Sequence, residues 1–513
     1  MGDSSSAATG RIWRNKMNIK QAKQEIKNTV QAYLKKDEQG EYIISSVRQR
    51  PLLLIGAPGI GKTQIMEQIA RECGIGLVAY TITHHTRQSA VGLPLIAEEN
   101  FEGKSYSVTE YTMSEIIASI YRKMRETGLK EGILFIDEIN CVSETLAPTM
   151  LQFLQCKTFG NQEIPKGWII VAAGNPPEYN KSVRDFDMVT LDRVRYMSVE
   201  ADLNVWKEYA RAQHINDAIL SYLELKPNHF YRVETDVDGM HFVTARGWED
   251  LSNLMDAYKE LSIPVTEEVV GEFLHHKDIA EDAAAFFELY QKYEDDYRIA
   301  EILEGRVLTQ VYARLFDAAF DERLAVVNLL LQGLTNRLEE YGKLRFRTDT
   351  WFAFLKEYRK QIETTDNVET CYTTLVETMR QQYEEQLRAE LLTKEDALRK
   401  KQLILDIEAA KKGLTSRMEP KEAFDLVRTP FTAQKDALEE VEASVKAELE
   451  HAFTFMEEAF QNGQEMVVFV TELTITPNAA MFLSEHEVEK YEIYKEQLLL
   501  GTRKAALLEE LKN

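Results

Sequence analysis

Gly56-Ala57-Pro58-Gly59-Ile60-Gly61-Lys62-Thr63 fits the pattern G-x-x-x-x-G-K-[ST] and follows directly on the apolar run Leu52-Leu53-Leu54-Ile55. Residues of these types at this spacing hold phosphates. The glycines let backbone N–H groups turn inward around the oxygens, and a helix beginning there adds positive potential. Lys62 then reaches the β and γ oxygens, and the Thr63 hydroxyl is placed to bind Mg²⁺. The residues Ile65, Met66 and Ile69 supply the helix that this reading requires.

Two further strand ends carry chemistry. Ile133-Leu134-Phe135-Ile136 runs into Asp137-Glu138, an apolar strand that delivers two carboxylates. Asp137 is placed to hold the Mg²⁺ shell, and Glu138 to take the proton of an attacking water, a task for a carboxylate within hydrogen-bond reach. Taken alone, such a run also ends many surface turns. Trp168-Ile169-Ile170-Val171-Ala172-Ala173-Gly174 ends in Asn175-Pro176, whose side-chain amide could hold the same water. The competing role for Asn175 is the turn residue that Asn-Pro commonly supplies.

The elements that position these groups are apolar runs without alternation, which read as strands buried on both faces. They are Leu52–Ile55, Leu77–Ile82, Ile133–Ile136, Trp168–Ala172 and Val194–Val199, at intervals that leave room for helices. Met17 to about Lys36 reads as a helix. Met113–Thr127, with Ile116, Ile117, Ile120, Tyr121 and Met124 at helical spacing and Gly128 as a stop, reads as another. Strands alternating with helices imply a parallel sheet covered on both faces. Past about Ala201 the pattern turns helical. Thr393-x-x-Asp396 reads as a helix cap, and Val445, Leu449, Ala452, Met456 and Phe460 form a core stripe. Met466–Ile475 is β-prone and reads as an isolated strand or hairpin.

The 513 residues and 44% apolar content exceed the needs of one core and predict two to four packed units. Lys and Arg number 61 against 84 Asp and Glu, for a net charge of −23, which argues against broad contact with nucleic acid. Cys73, Cys141, Cys156 and Cys371 show neither paired spacing nor neighbouring His, and they read as buried thiols of a reducing, cytoplasmic protein. No apolar run reaches the roughly 20 residues of a membrane helix, so no membrane insertion is expected. Residues 1–16, with Ser4-Ser5-Ser6, read as an expression leader before a start at Met17.

Together, the motifs resemble the AAA+ ATPases of the P-loop NTPase superfamily, and their wording is similar to the MoxR family. The residues that carry the resemblance are Gly56–Thr63, Asp137-Glu138-Ile139-Asn140, Gly174-Asn175-Pro176 and Leu191-Asp192-Arg193, within roughly Lys36–Ile263. The resemblance implies that Arg193 is an arginine finger completing a neighbouring subunit's site. A surface Arg paired with Asp192 or Asp187 is the competing role, and Arg195 is a second candidate for the finger. It also implies that Arg246, in Phe242-Val243-Thr244-Ala245-Arg246-Gly247-Trp248, is a sensor arginine carried on a helical lid. Relatives often have Pro before that arginine, where this chain has Ala245. Thr83-His84-His85-Thr86-Arg87 and Val91-Gly92-Leu93-Pro94 fall where relatives carry a pore-facing insert; they read first as polar loop or interface residues, since adjacent His side chains point apart.

The expected architecture is therefore α/β: an αβα AAA+ module over 17–200, a helical lid over 201–263, and a mainly α-helical region of unassigned role over 264–513. By resemblance, the cofactors are ATP and Mg²⁺, the assembly is a homo-oligomeric ring, commonly a hexamer, and the partner is a protein with a von Willebrand factor A domain. The expected function is an ATP-hydrolysing chaperone or remodelling motor. A nucleic-acid-directed motor, a scaffold that binds ATP without turnover and a metal-chelatase motor subunit are the alternatives.

Overall fold

The computed structural model describes residues 16–84, 87–159, 162–179, 183, 186–235, 239–365 and 367–498. Two compact units divide them. The first runs to Val205 and takes in Gln382–Ala397, and the second holds Trp206–Gln381 and the chain from Leu398 onward.

The strands in chain order are β1 (Lys16–Asn18), β2 (Leu52–Gly56), β3 (Gly76–Thr81), β4 (Pro94–Phe101), β5 (Lys104–Tyr111), β6 (Gly132–Asp137), β7 (Thr158–Phe159), β8 (Gln162–Glu163), β9 (Trp168–Gly174), β10 (Arg195–Glu200), β11 (Arg232–Thr235) and β12 (Met240–Val243). Six of them form the sheet of the first unit in the order β1-β10-β2-β9-β6-β3. Every pairing in it is parallel.

Alternation along the central strands divides the core into two layers, because successive side chains leave opposite faces of a sheet. Leu53, Ile55, Leu134, Ile136, Ile170 and Ala172 pack with Ile116, Ile117, Ile120, Met150 and Phe153, from the helices Glu115–Thr127 and Ala147–Cys156. Leu52, Leu54, Ile133, Phe135, Ile169 and Val171 pack with Ile26, Val30, Ile65, Met66 and Ile69, from Ile19–Leu34 and Lys62–Cys73. The result is an αβα sandwich, and each fully buried Leu or Ile in it contributes about 1.5–3 kcal/mol of transfer free energy. The helix ends are set locally. Asn18 and Gln21 form a capping box at the start of Ile19–Leu34, and Gly128 ends Glu115–Thr127 in the left-handed region at φ 75°.

Pairing registers bring the strand ends that carry chemistry to one edge of the sheet. Ile55 lies opposite Gly174, Gly56 opposite Val199, and Thr81 opposite Asp137. In open α/β sheets this carboxyl edge is where ligands bind.

The second unit is mainly helical and is built on Phe320–Ile362 and Pro420–Phe460, helices of 43 and 41 residues. Val445, Leu449, Ala452, Met456 and Phe460 are buried in its core with Leu330, Leu334 and Leu338. Thr393 caps Lys394–Ala410 as read from sequence, its hydroxyl accepting from Asp396 N at 3.1 Å.

Several expectations need correction. Met466–Ile475 is not a strand but part of the helix Gln464–Ile475. Its Val- and Phe-rich composition favours β-structure, yet Met466, Phe469, Val470 and Leu473 recur at helical spacing and are buried. Residues 206–263 fall in the same compact unit as the C-terminal helices, and the antiparallel hairpin β11–β12 lies among their helices. Lys16, read as leader, pairs with Ser198 in β1; residues 1–15 lie outside the described residues. The four cysteines are free, but Cys156 is exposed and the other three are half-buried. Pro94–Tyr111, most of which the sequence left unassigned, forms the exposed hairpin β4–β5, turning at Glu102 and Gly103, both at positive φ.

Among the described residues, no single helix is long and apolar enough to cross a membrane. The bent pair Gln464–Ile475 and Pro477–Glu485 has the composition for it, but turns by 86° and buries Phe469, Leu473 and Phe482 in the core.

Candidate functional site

The loop between β2 and the helix Lys62–Cys73 is shaped by its glycines for two separate reasons. Gly61, the N-cap of the helix, sits at φ 88°, a region that L side chains rarely enter. Gly56 is a matter of space: an added Cβ would lie 2.6 Å from Val199 O on β10.

Lys62 is buried at 8% exposure, and its Nζ donates to Gly56 O at 2.7 Å, Ala57 O at 2.8 Å and Asn175 Oδ1 at 2.9 Å. Lys62, the first residue of the helix after β2, is thus tied to Asn175, the residue that follows β9. Phosphate oxygens entering the loop would compete for the same N–H donors, so Asn175 is placed to respond to their arrival.

Thr63 Oγ1 donates to Asp137 Oδ2 at 3.2 Å. A hydroxyl and a carboxylate oxygen converging at the mouth of a phosphate loop suit Mg²⁺, which takes one or two protein oxygens and completes its octahedron with phosphate and water. Glu138, the next residue, has φ 55°, an uncommon conformation for a residue with a side chain, and its N–H donates to Asp137 Oδ1 at 2.9 Å. Its Oε2 accepts from Thr83 Oγ1 at 3.0 Å. The charge of both carboxylates reaches Cys141, whose thiol is pushed up, first by burial and then by Glu138 and Asp137.

Thr83 and Asn140 belong to the site although sequence reasoning gave neither a role there. Thr83 stands on the short turn Ile82–His84 after β3, and the pairing of Thr81 with Asp137 carries it alongside Glu138. Asn140, 5% exposed, donates from Nδ2 to Asn175 O at 2.8 Å. This contact explains Gly174, where an added Cβ would meet Asn140 Oδ1 at 2.3 Å. The signal for Asn140 was its place in Asp137-Glu138-Ile139-Asn140; for Thr83, only strand pairing reveals it.

The two finger candidates separate. Arg195 is ion-paired with Glu25 and donates to Thr29 Oγ1 at 2.6 Å, both on the helix Ile19–Leu34, so its guanidinium is committed inside the domain. Arg193 ends the helix Met188–Arg193, is exposed, and is hydrogen-bonded to Gln155. Asp187 caps that helix by accepting from Thr190 N at 2.8 Å. Its carboxyl is held below the ordinary range by the Thr190 hydrogen bonds and, to a lesser extent, by the Arg193 charge.

Arg246 belongs to the second unit. It is exposed on the first turn of Ala245–Leu261, a helix whose start is set by Thr244, its Oγ1 accepting from Gly247 N at 3.2 Å. Of the Thr83–Arg87 segment, His85 and Thr86 lie outside the described residues.

A family profile described as AAA domain (dynein-related subfamily) matches residues 51–194. Among solved structures, the crystal structure of the FIGL-1 AAA domain in complex with ADP is similar to 45% of this chain at 15% identity, with a TM-score of 0.23. The chain spans 64% of the length of that structure. No curated protein matches the chain. The profile begins at the strand that leads into the phosphate loop and ends one residue past Arg193, and the chain accordingly carries, over residues 51–194, an AAA domain of the P-loop ATPase class.

Proposed function

We propose that this chain hydrolyses ATP with Mg²⁺ and couples the reaction to remodelling or activation of a partner protein, as a ring of the MoxR type. The observation that carries the catalytic part is the convergence of Lys62 with Asn175 and of Thr63 with Asp137 beside Glu138. Thr63 and Asp137 would hold Mg²⁺, which when bound would supply positive charge to the β and γ oxygens. Lys62 and the loop N–H groups orient the triphosphate. Glu138 accepts a proton from a water held by Asn175, and the water oxygen bonds to the γ phosphorus as the bond to the ADP oxygen breaks.

Arg193, exposed at a helix end, is the residue offered to a neighbouring subunit's γ-phosphate, and the ring, hexameric as in MoxR-like proteins, follows from that role. Arg246 is the second γ-phosphate arginine on the resemblance alone. A partner with a von Willebrand factor A domain likewise rests on the resemblance. The net charge of −23 disfavours a nucleic-acid-directed motor.

Phosphate release from ATP by the full chain tests the reading. Turnover is expected with Mg²⁺, none after chelation with EDTA, and no dependence on DNA or RNA. Absence of turnover with Mg²⁺ in an assembled ring leaves only a nucleotide-binding scaffold, and strict dependence on nucleic acid replaces the partner protein with a polynucleotide.

A further inference from the structure

The second unit contains a polar cavity of about 200 Å³, partly open to solvent at Asp256 and Asn336 and far larger than the roughly 10–15 Å³ a single water requires. One wall is a face of the long helix Phe320–Ile362 that carries Asn328, Gln332, Thr335, Asn336 and Glu339 at spacings of three and four, in place of the leucines that fill the rest of the core. Gln332, Thr335 and Asn336 make no side-chain hydrogen bond to any described residue. Ser221, 1% exposed, also lines the cavity, and its buried hydroxyl lies near that of Tyr290 without a hydrogen bond of normal geometry to any described residue. Leaving the buried Ser221 hydroxyl unpaired costs about 1–3 kcal/mol, so this group calls for an occupant, while Gln332 and Thr335 are half-buried and Asn336 is exposed, which leaves their polar atoms open to a ligand.

The charges in the wall say which kind. Arg211 is ion-paired with Glu472 and lies 3.7 Å from Glu224, which also binds Lys207 at 2.9 Å. His214 lies 3.1 Å from Glu339, and Lys259 pairs with Glu294 at 3.0 Å. Arg211 and Lys259 are therefore each paired with other carboxylates. Asp217 and Asp256 stand together and make no ion pair with a described residue, although Arg211 and Lys259 lie near enough to act on Asp217, and Asp256 accepts from the neutral amide of Asn216 at 2.7 Å. Two carboxylates and three uncommitted amide or hydroxyl side chains form an acceptor-rich lining with a local excess of negative charge.

We propose that this cavity binds a small organic ammonium ion, the size of a linear amine or diamine, whose N–H groups are taken by Asp217, Asp256 and the amide oxygens of Gln332 and Asn336. A cation there relieves the repulsion between the two carboxylates, and its alkyl chain packs on Leu220, Leu331 and Ile215 in the same wall.

The proton balance supports a test. Burial, and after it the charge of Asp256, raises the Asp217 carboxyl to about 7, with Arg211 and Lys259 opposing. Tyr290 faces it from Lys277–Tyr297, and Glu339 from Phe320–Ile362 and Glu472 from Gln464–Ile475 line the same cavity. A raised carboxyl is partly protonated at neutral pH and must lose its proton to bind a cation, so affinity rises with pH through 7 and levels above it.

The experiment is calorimetric titration of the full chain with n-butylamine and with putrescine at pH 6.5 and 8.5, with 1-butanol and MgCl₂ as controls. At least one amine is expected to bind one-to-one, about fourfold more tightly at pH 8.5. Asp217→Asn should abolish the pH dependence, and Asp256→Asn and Gln332→Leu should each weaken binding about 10-fold. The two variants change different elements, so either one that keeps the parent's melting temperature suffices. Failure of both amines to bind at millimolar concentration means a cavity holding water only and overturns the proposal. So does binding matched by 1-butanol or MgCl₂, or amine binding that neither folded variant weakens, which is attachment to the acidic surface.

Discussion

The Thr83 hydroxyl donates to Glu138 Oε2 at 3.0 Å, joining the turn after β3 to the carboxylate at the end of β6. Glu138 is therefore not positioned by its own strand alone. Removing the hydroxyl frees the carboxylate from this orientation, which the proposed function uses to meet water. Thr83→Ala is expected to lower kcat roughly 10-fold with nucleotide affinity unchanged, and Thr83→Ser to retain most of the activity. Equal kcat in Thr83→Ala and the parent would show that the bond does not position the base.

In the proposed function the Lys62 ammonium is the charge offered to the β and γ phosphates, and truncation removes it. Lys62→Ala should weaken ATP binding by about 10-fold or more, the scale of lost charge-assisted hydrogen bonds. Direct titration with a fluorescent nucleotide measures it. Unchanged affinity in Mg²⁺ would contradict the placement of the phosphates.

Gly174→Ala puts a methyl 2.3 Å from Asn140 Oδ1, between β9 and the buried amide that holds Asn175. Overpacking of this kind costs about 1–3 kcal/mol, so the melting temperature should fall, and turnover should fall further than stability explains because Asn175 is displaced. A stable, fully active Gly174→Ala would mean that Asn140 moves aside freely and does not fix Asn175.

The two arginines near β10 should fail differently. Arg195→Ala removes an ion pair with Glu25 that is partly solvent-screened and a hydrogen bond to Thr29, so it should cost at most about 1 kcal/mol of stability. Arg193→Ala should leave stability and ATP binding intact and slow hydrolysis at least ~10²-fold, below the range of known arginine fingers. In rings co-assembled from Arg193→Ala and Glu138→Gln subunits, some interfaces pair an intact Glu138 with an intact Arg193, and part of the activity should return. Mixed rings, verified by mass, that stay as inactive as either variant alone would make Arg193 a surface residue.

How much of this was legible depended on burial. The strands that position the site are enclosed on both faces, so their sequences are continuous apolar runs, and Lys62, Thr63, Asp137, Glu138 and Asn175 come to one edge as their strand ends implied. The β4–β5 hairpin escaped notice because Leu95, Ile96, Phe101 and Tyr106 are all exposed, so no buried face imposes a period on it. Gln464–Ile475 was misread because Val467, Val468 and Phe469 prefer strands locally while packing against the long helices fixes a helix. Arg193 and Arg195 were indistinguishable because one bonds Gln155 and the other Glu25, partners far away in sequence. The return of residues 382–397 to the first unit rests on contacts such as Lys123 Nζ to Glu390 Oε1 at 2.5 Å, across a separation of 267 residues, which no local pattern encodes.

The most direct measurement is nucleotide binding and phosphate release, side by side, for the parent and Glu138→Gln. The amide keeps the shape of Glu138 but cannot take the water's proton, so ATP affinity should be retained while turnover falls by about 10²-fold or more. Near-normal turnover with intact binding would remove Glu138 from the chemistry and contradict hydrolysis at the edge where β2, β6 and β9 end.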